Sequence, residues 1–156
     1  MELSESELAY AGFWRRTGAY FIDGILLCLV IYPALLMTYG MRYLEDANAY
    51  WGPMQPLISY VLPAVLVLLF WIAKAATPGK MAIAATIVDA RTGDKPSTTQ
   101  FVIRYFSYIL STLPLFLGFV WIAFDGRKQG WHDKLAGTVV VRRKAGTAQE
   151  VRFETA

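Results

Sequence analysis

Charge is what this sequence has least of. Of 156 residues only 17% are Asp, Glu, Lys or Arg, against about 25% in an ordinary soluble domain. There is one cysteine and one histidine. An intrachain disulfide is therefore excluded, and a dedicated metal cage has too few donors, so neither a metal nor a cofactor is expected. Cys28 lies within an apolar run and is expected as a small buried apolar side chain. The net charge is only +3, and the basic residues flank apolar runs rather than forming a stripe. That argues against a nucleic-acid ligand, and for topology signals and contacts with the lipid bilayer and its anionic headgroups. A catalytic constellation is also missing. Ser107, Ser111 and Thr112 share a stretch without a histidine. They are expected to satisfy backbone near Pro114 or to help helices pack, and no enzyme activity is expected. The first ten residues, MELSESELAY, are acidic where a secretory leader is basic, and no small-x-small site follows; the first helix is expected to be retained.

What the chain has instead is apolar length. It is 56% hydrophobic with a mean hydropathy of +0.38, and its size fits one domain, residues 1–144, followed by a polar tail over 145–156. Three apolar runs stand out: Thr17 to Met41, a stretch within Ala47 to Ala73 that ends at Lys74, and Tyr105 to Phe124, bounded by Arg104 and Asp125. Each approaches the ~20 residues that cross a ~30 Å hydrocarbon core as a helix. Trp51, Trp71 and Trp121 stand near the run ends, where an interfacial aromatic belt belongs. Pro33 and Pro63 fit membrane helices as kinks.

Counting basic residues places the N-terminus (Arg15, Arg16), the second loop (Lys74, Lys80, Arg91, Lys95, Arg104) and the tail (Arg142, Arg143, Lys144 and others) in the cytoplasm. Three plain spans would put the tail outside. The third run resolves the conflict through Ser111-Thr112-Leu113-Pro114 and Gly118, which predict a broken helix that re-enters and returns. Two β-prone runs, AIAATIVD over 82–89 and TVVVRR over 138–143, support this, because lone strands leave backbone groups unpaired and these two can pair only on one face. Ser97-Thr98-Thr99 should cap a helix starting near Gln100. The expected architecture is an all-α membrane protein with two full transmembrane helices, a broken or re-entrant third element, and a small cytoplasmic strand pair.

Asp23 is the only charged residue between Thr17 and Met41. A carboxylate inside a membrane helix costs on the order of 3 kcal/mol on insertion scales, so it faces protein or water. Arg16 lies seven residues earlier, on the same helix face and about 10.5 Å away along the axis. That gap leaves room for a third polar group. TPGK at 77–80 is not a phosphate loop, since Lys74 and Met81 occupy positions that need Gly and Ser/Thr. Pro78-Gly79 should end the second helix, with Lys80 at headgroup level. His132 is expected to cap or hydrogen-bond at the membrane surface.

Four ordered segments, AGFWRRTGAYFID, TPGK, IVDARTGDKPSTTQFVIRY and GRKQGWHDKLAGTVVV, resemble the RDD family of small bacterial membrane proteins. The family is named for one arginine and two aspartates, here Arg16, Asp23 and Asp133. The resemblance implies a multi-pass protein of the bacterial inner membrane and a transport role for unknown ligands, with some members similar to sodium/proton antiporters in proposed activity. Two readings stay open. The Arg16, Asp23 and Asp133 cluster, with Lys80, Arg104 and His132 in support, either handles a small solute, cation or proton in a homo-oligomer, or is a structural clasp in an accessory protein that serves a membrane partner protein.

Overall fold

A computed structural model describes residues 7–46, 52–144 and 151–153 of the chain. The first apolar run forms a helix α1, Phe13–Tyr39, of 27 residues, about 40 Å long. It contains Pro33 and stops at Gly40, whose φ of 71° suits a residue without Cβ. A short helix α2, Arg42–Glu45, follows. The second run forms α3, Met54–Lys74, with one widened turn over Leu57–Val61 just before Pro63. Proline lacks an N–H, and a wide turn is one way to absorb that loss. Both helices are long and apolar enough to cross a membrane. Their outer faces are exposed, with Phe21, Ile25, Leu29, Val65 and Leu69 uncovered. Cys28 belongs to this face and is exposed, which corrects the expectation that it is buried: α1 turns only one narrow stripe inward.

The TPGK segment forms a short helix α4, Pro78–Ala82, leading to strand β2, Ala85–Asp89. Helix α5, Thr98–Thr112, starts at Ser97, whose hydroxyl accepts from Gln100 N–H while Gln100 Oε1 accepts from Ser97 N–H. This reciprocal cap is the predicted start. The chain breaks at Leu113–Phe116 around Pro114, with Leu115 and Phe116 in the left-handed region at φ 50° and 62°. It resumes as α6, Leu117–Phe124, bent by 100° from α5. The return is completed by α7, Trp131–Ala136, which packs along α5 and leads into strand β3, Thr138–Arg143.

A third strand, β1 Leu8–Tyr10, precedes α1; the expected strand pair is therefore a three-stranded antiparallel sheet in the order β1-β3-β2. Tyr10 faces Val141, and Ile87 faces Val140. Successive β3 side chains alternate between faces. Val140 packs with Trp71, Ile87 and Phe101 beneath the helices, while Val139 and Val141 pack with Tyr10, Val88 and Val151 on the other side. Both faces are covered, which is why TVVV reads as an unbroken apolar run. Within the expected polar tail, Val151 is 1% exposed and packs on the sheet; positions 145–150 and 154–156 lie outside the described residues, as does Trp51.

The sheet fixes the path. Since β1, β2 and β3 are neighbours, α1 and α3 form an out-and-back hairpin, and α5, α6 and α7 leave the sheet and return to it.

Candidate functional site

Arg16 and Asp133 meet at the sheet end of the bundle. Arg16 Nη1 donates to Asp133 Oδ2 at 2.5 Å, and the side chains are 1% and 0% exposed. From α5, Arg104 Nη1 pairs with Asp133 Oδ1 and donates to Thr138 Oγ1 at 2.6 Å. The remaining Arg16 donors reach Ala11 O at 2.8 Å and Lys128 O at 2.6 Å. Asp133 also accepts from Gly130 N–H at 2.8 Å, at the start of α7, where a negative charge is favoured. One carboxylate thus ties α1, α5 and α7 together. Burial alone would push the Asp133 carboxyl up, but Arg104 and Arg16 hold it well below the usual carboxylate range. Arg104 Nε and Nη2 have no hydrogen-bond acceptor among the described residues; the guanidinium lies 5.4 Å from the Trp71 ring and 5.9 Å from the Tyr108 ring.

Asp23 is not part of this lock. Its oxygens accept from Thr77 Oγ1 at 2.5 Å and from Gly79 N–H at 2.7 Å. Thr77 makes no cap of its own for α4; the carboxylate of α1 supplies that cap from a distance in sequence. The close approach depends on Gly79, where a Cβ would collide with Ala19 O and lie 2.8 Å from Asp23 Cγ. Sequence reasoning placed Arg16, Asp23 and Asp133 in one cluster. The fold brings Arg16 and Asp133 together and gives Asp23 a neighbouring site.

Lys80 occupies the gap between them. Its Nζ sits 4.8 Å from the Tyr20 ring centroid and 5.9 Å from that of Trp71, and Tyr20 lies between Arg16 and Asp23 on the same stripe of α1. The residue is 1% exposed rather than at headgroup level, because α4 folds back against α1. Burial holds its ammonium below the ordinary lysine range. Trp71 is likewise 1% exposed and belongs to the core, not to an outer aromatic belt; Trp121 is exposed.

His132 is fully buried, against the expectation of a surface position. Its ring packs on Tyr108 and Phe119 at centroid distances of 4.3 and 4.9 Å. Burial pushes the imidazole down to about 3, with Arg104 and Arg16 adding to the effect and Asp133 opposing it. The 3.6 Å approach of Nε2 to Asp133 is therefore a contact of a neutral ring. The fold also joins a histidine to the serines that the sequence held apart: Ser111 Oγ is 3.1 Å from His132 Nδ1 and accepts from His132 N–H at 3.2 Å. Ser111 is fully buried, and Asp133 is held by two arginines. The trio closes α5 on α7.

Beside the lock lies a cavity of about 600 Å³ between α1, α3, α5 and α6, whose wall includes Arg16 but not Arg104, Ser111, His132 or Asp133. Arg16, Asp23, Thr77, Lys80 and Tyr108 line its polar end, and Leu27, Val67, Phe119 and Val120 its apolar walls. Among the described residues, no cluster of three His, Cys, Asp or Glu side chains is placed to hold a metal.

Residues 10–137 match the RDD family. The chain is 34% identical over 148 residues to "Uncharacterized protein YxaI" of Bacillus subtilis (strain 168), covering 84% of this chain and 96% of that protein. It is 41% identical over 73 residues to "Uncharacterized protein RP437" of Rickettsia prowazekii (strain Madrid E), 47% of this chain and 40% of that one. No solved structure gives a significant match. With its arginine and second aspartate joined in one buried ion pair and its first aspartate holding the TPGK turn, this chain belongs to the RDD family.

Proposed function

We propose that the chain is a multi-pass protein of the bacterial inner membrane that binds a small solute in this cavity and carries it across the bilayer as a homo-oligomer. Insertion of α1 and α3 is supported by their length and by the apolar side chains they leave uncovered. The sheet then lies at one membrane face with both termini, and the basic residues around it favour the cytoplasmic side. Two spans and a re-entrant element make a poor solitary pathway, so a second copy completes the route. The observation that carries the proposal is the convergence of polar groups from α1, α3, α4 and α5, with Arg16 and Lys80 fully buried among them, on a cavity whose other walls are apolar, the usual make-up of a ligand site.

The lock of Arg16, Arg104 and Asp133 serves as the base of this site rather than its pathway, since its one carboxylate is held by both arginines. Exchange of a bare cation such as Na⁺ or H⁺ would centre on Asp23, but its oxygens are occupied and Lys80 stands beside it. A solute larger than a bare cation fits better. No enzyme activity is part of the proposal.

A second reading rests on the same lock. A buried ion cluster that ties three helices together suits a rigid accessory protein that stabilises a membrane partner, and it needs no flux. Reconstitution into liposomes separates the two. Saturable uptake from a panel of Na⁺, H⁺ and small organic solutes, lost in Lys80→Gln, is expected for the carrier. Absence of flux across the panel, with co-purification of one fixed partner, would replace it with the accessory reading.

A further inference from the structure

Around the cavity, three buried cations, Arg16, Lys80 and Arg104, face two carboxylates, Asp23 and Asp133. The group therefore carries one positive charge in excess, and of the two cations on the cavity wall, Arg16 and Lys80, Lys80 is the one without a hydrogen-bond partner among the described residues. Arg16 is engaged by Asp133 and two backbone carbonyls, and Arg104 by Asp133 and Thr138. Lys80 Nζ lies over the Tyr20 and Trp71 rings; among the described residues it has no hydrogen-bond acceptor and no carboxylate in ion-pair range, Asp23 acting on it only from beyond that range. Trp71 Nε1, buried in the same wall, has no acceptor either. Leaving such donors unsatisfied costs far more than a surface charge does. Rings compensate a buried ammonium only in part.

We infer that the cavity takes a compact anion carried on an apolar body, a single-chain amphiphile with a carboxylate or phosphate head. The head accepts hydrogen bonds from Lys80 Nζ and Trp71 Nε1, and the chain lies against Leu27, Val67, Phe119 and Val120. A cation is disfavoured by the excess positive charge, and a free inorganic anion leaves most of the apolar wall empty. This assignment rests on the cavity being a ligand site but not on transport, so binding can hold where flux fails.

The test is calorimetric titration of the full chain, purified in an uncharged maltoside, with octanoate, octyl phosphate, octanol and inorganic phosphate. Octanoate and octyl phosphate should each bind at least tenfold more tightly than octanol or inorganic phosphate. Lys80→Gln should abolish that preference, Lys80→Arg should keep it, and Trp71→Phe should weaken octanoate several-fold. Native mass spectrometry of the purified protein distinguishes the sources. An anionic lipid adduct present in the wild type and absent in Lys80→Gln makes a membrane lipid the ligand; no adduct, with the octanoate preference intact, makes it a free amphiphile. Equal binding of octanoate and octanol, equal binding of inorganic phosphate and octyl phosphate, or an undiminished preference in Lys80→Gln would overturn the inference. The wild-type comparison decides even if Lys80→Gln does not fold.

Discussion

Replacing Asp133 with Asn keeps the shape of the side chain and its acceptor for Gly130 N–H, but removes the one carboxylate among the described residues that meets both Arg16 and Arg104. Two guanidiniums, each 1% exposed or less, are then left side by side without a counter-charge. Breaking a buried pair by removing one partner costs about 3–5 kcal/mol, a large part of a total stability of roughly 5–15 kcal/mol. For a chain of this size that corresponds to a melting shift of roughly 10 °C. Asp23→Asn should cost much less, about 1–2 kcal/mol, because an amide can still accept from Gly79 N–H and donate to Thr77 Oγ1. Thermal melts in detergent, followed by tryptophan fluorescence, give the comparison. The double variant Arg16→Gln with Asp133→Asn should be more stable than the sum of its singles. Arg16→Gln with Asp23→Asn should be additive to within about 0.5 kcal/mol. Equal costs for the two aspartates, or strong coupling of Arg16 to Asp23, would refute the division into two sites.

Gly79→Ala should drive a methyl into Ala19 O and weaken the Asp23 bond, lowering stability by about 1–3 kcal/mol in the same melts. His132 titrates near 3 in the folded chain against 6.5 ordinarily, so the unfolded chain binds the extra proton between those values. Stability should therefore fall as pH drops below about 6.5, by up to about 1.4 kcal/mol per unit. His132→Gln should flatten the dependence between about pH 6 and pH 4.5, and an unchanged slope in denaturant titrations would count against a neutral buried ring. Val140→Pro interrupts the central strand β3 and should cost about 3 kcal/mol. Leu8→Pro, on the edge strand β1, should cost less, as a pair of melts will tell.

The features carried by long or local signals were legible in the sequence. The apolar runs predicted α1 and α3, Pro114 predicted the break between α5 and α6, and Ser97 with Gln100 marked the start of α5. The pairing of 82–89 with 138–143 followed from two strands that had no other partner. β1 was not legible, because three residues beside an acidic segment carry no usable pattern and take their structure from β3. The site was half legible. Composition singled out Asp23 as an expensive charge that needs a partner, yet periodicity could only offer Arg16, on its own helix. Its real partners, Thr77 and Gly79, lie on a turn whose approach depends on a missing Cβ at position 79. Lys80, Trp71 and His132 were assigned to the membrane surface because flanking charges and aromatics usually lie there. The backward fold of α4 and the packing of α7 along α5 put them inside, and neither contact leaves a mark in local sequence.

The central claim is that the sheet holds the N-terminal strand, the link between α3 and α5, and the strand before the tail on one face of the membrane, with the ion lock just beneath. Single cysteines at Asp94, Lys144 and Arg42, introduced into a Cys28→Ser background and probed in oriented vesicles with a membrane-impermeant maleimide, test it directly. Asp94→Cys and Lys144→Cys should label from the same side, and Arg42→Cys only from the other. Labelling of Lys144→Cys together with Arg42→Cys, on the side opposite Asp94→Cys, would contradict the account.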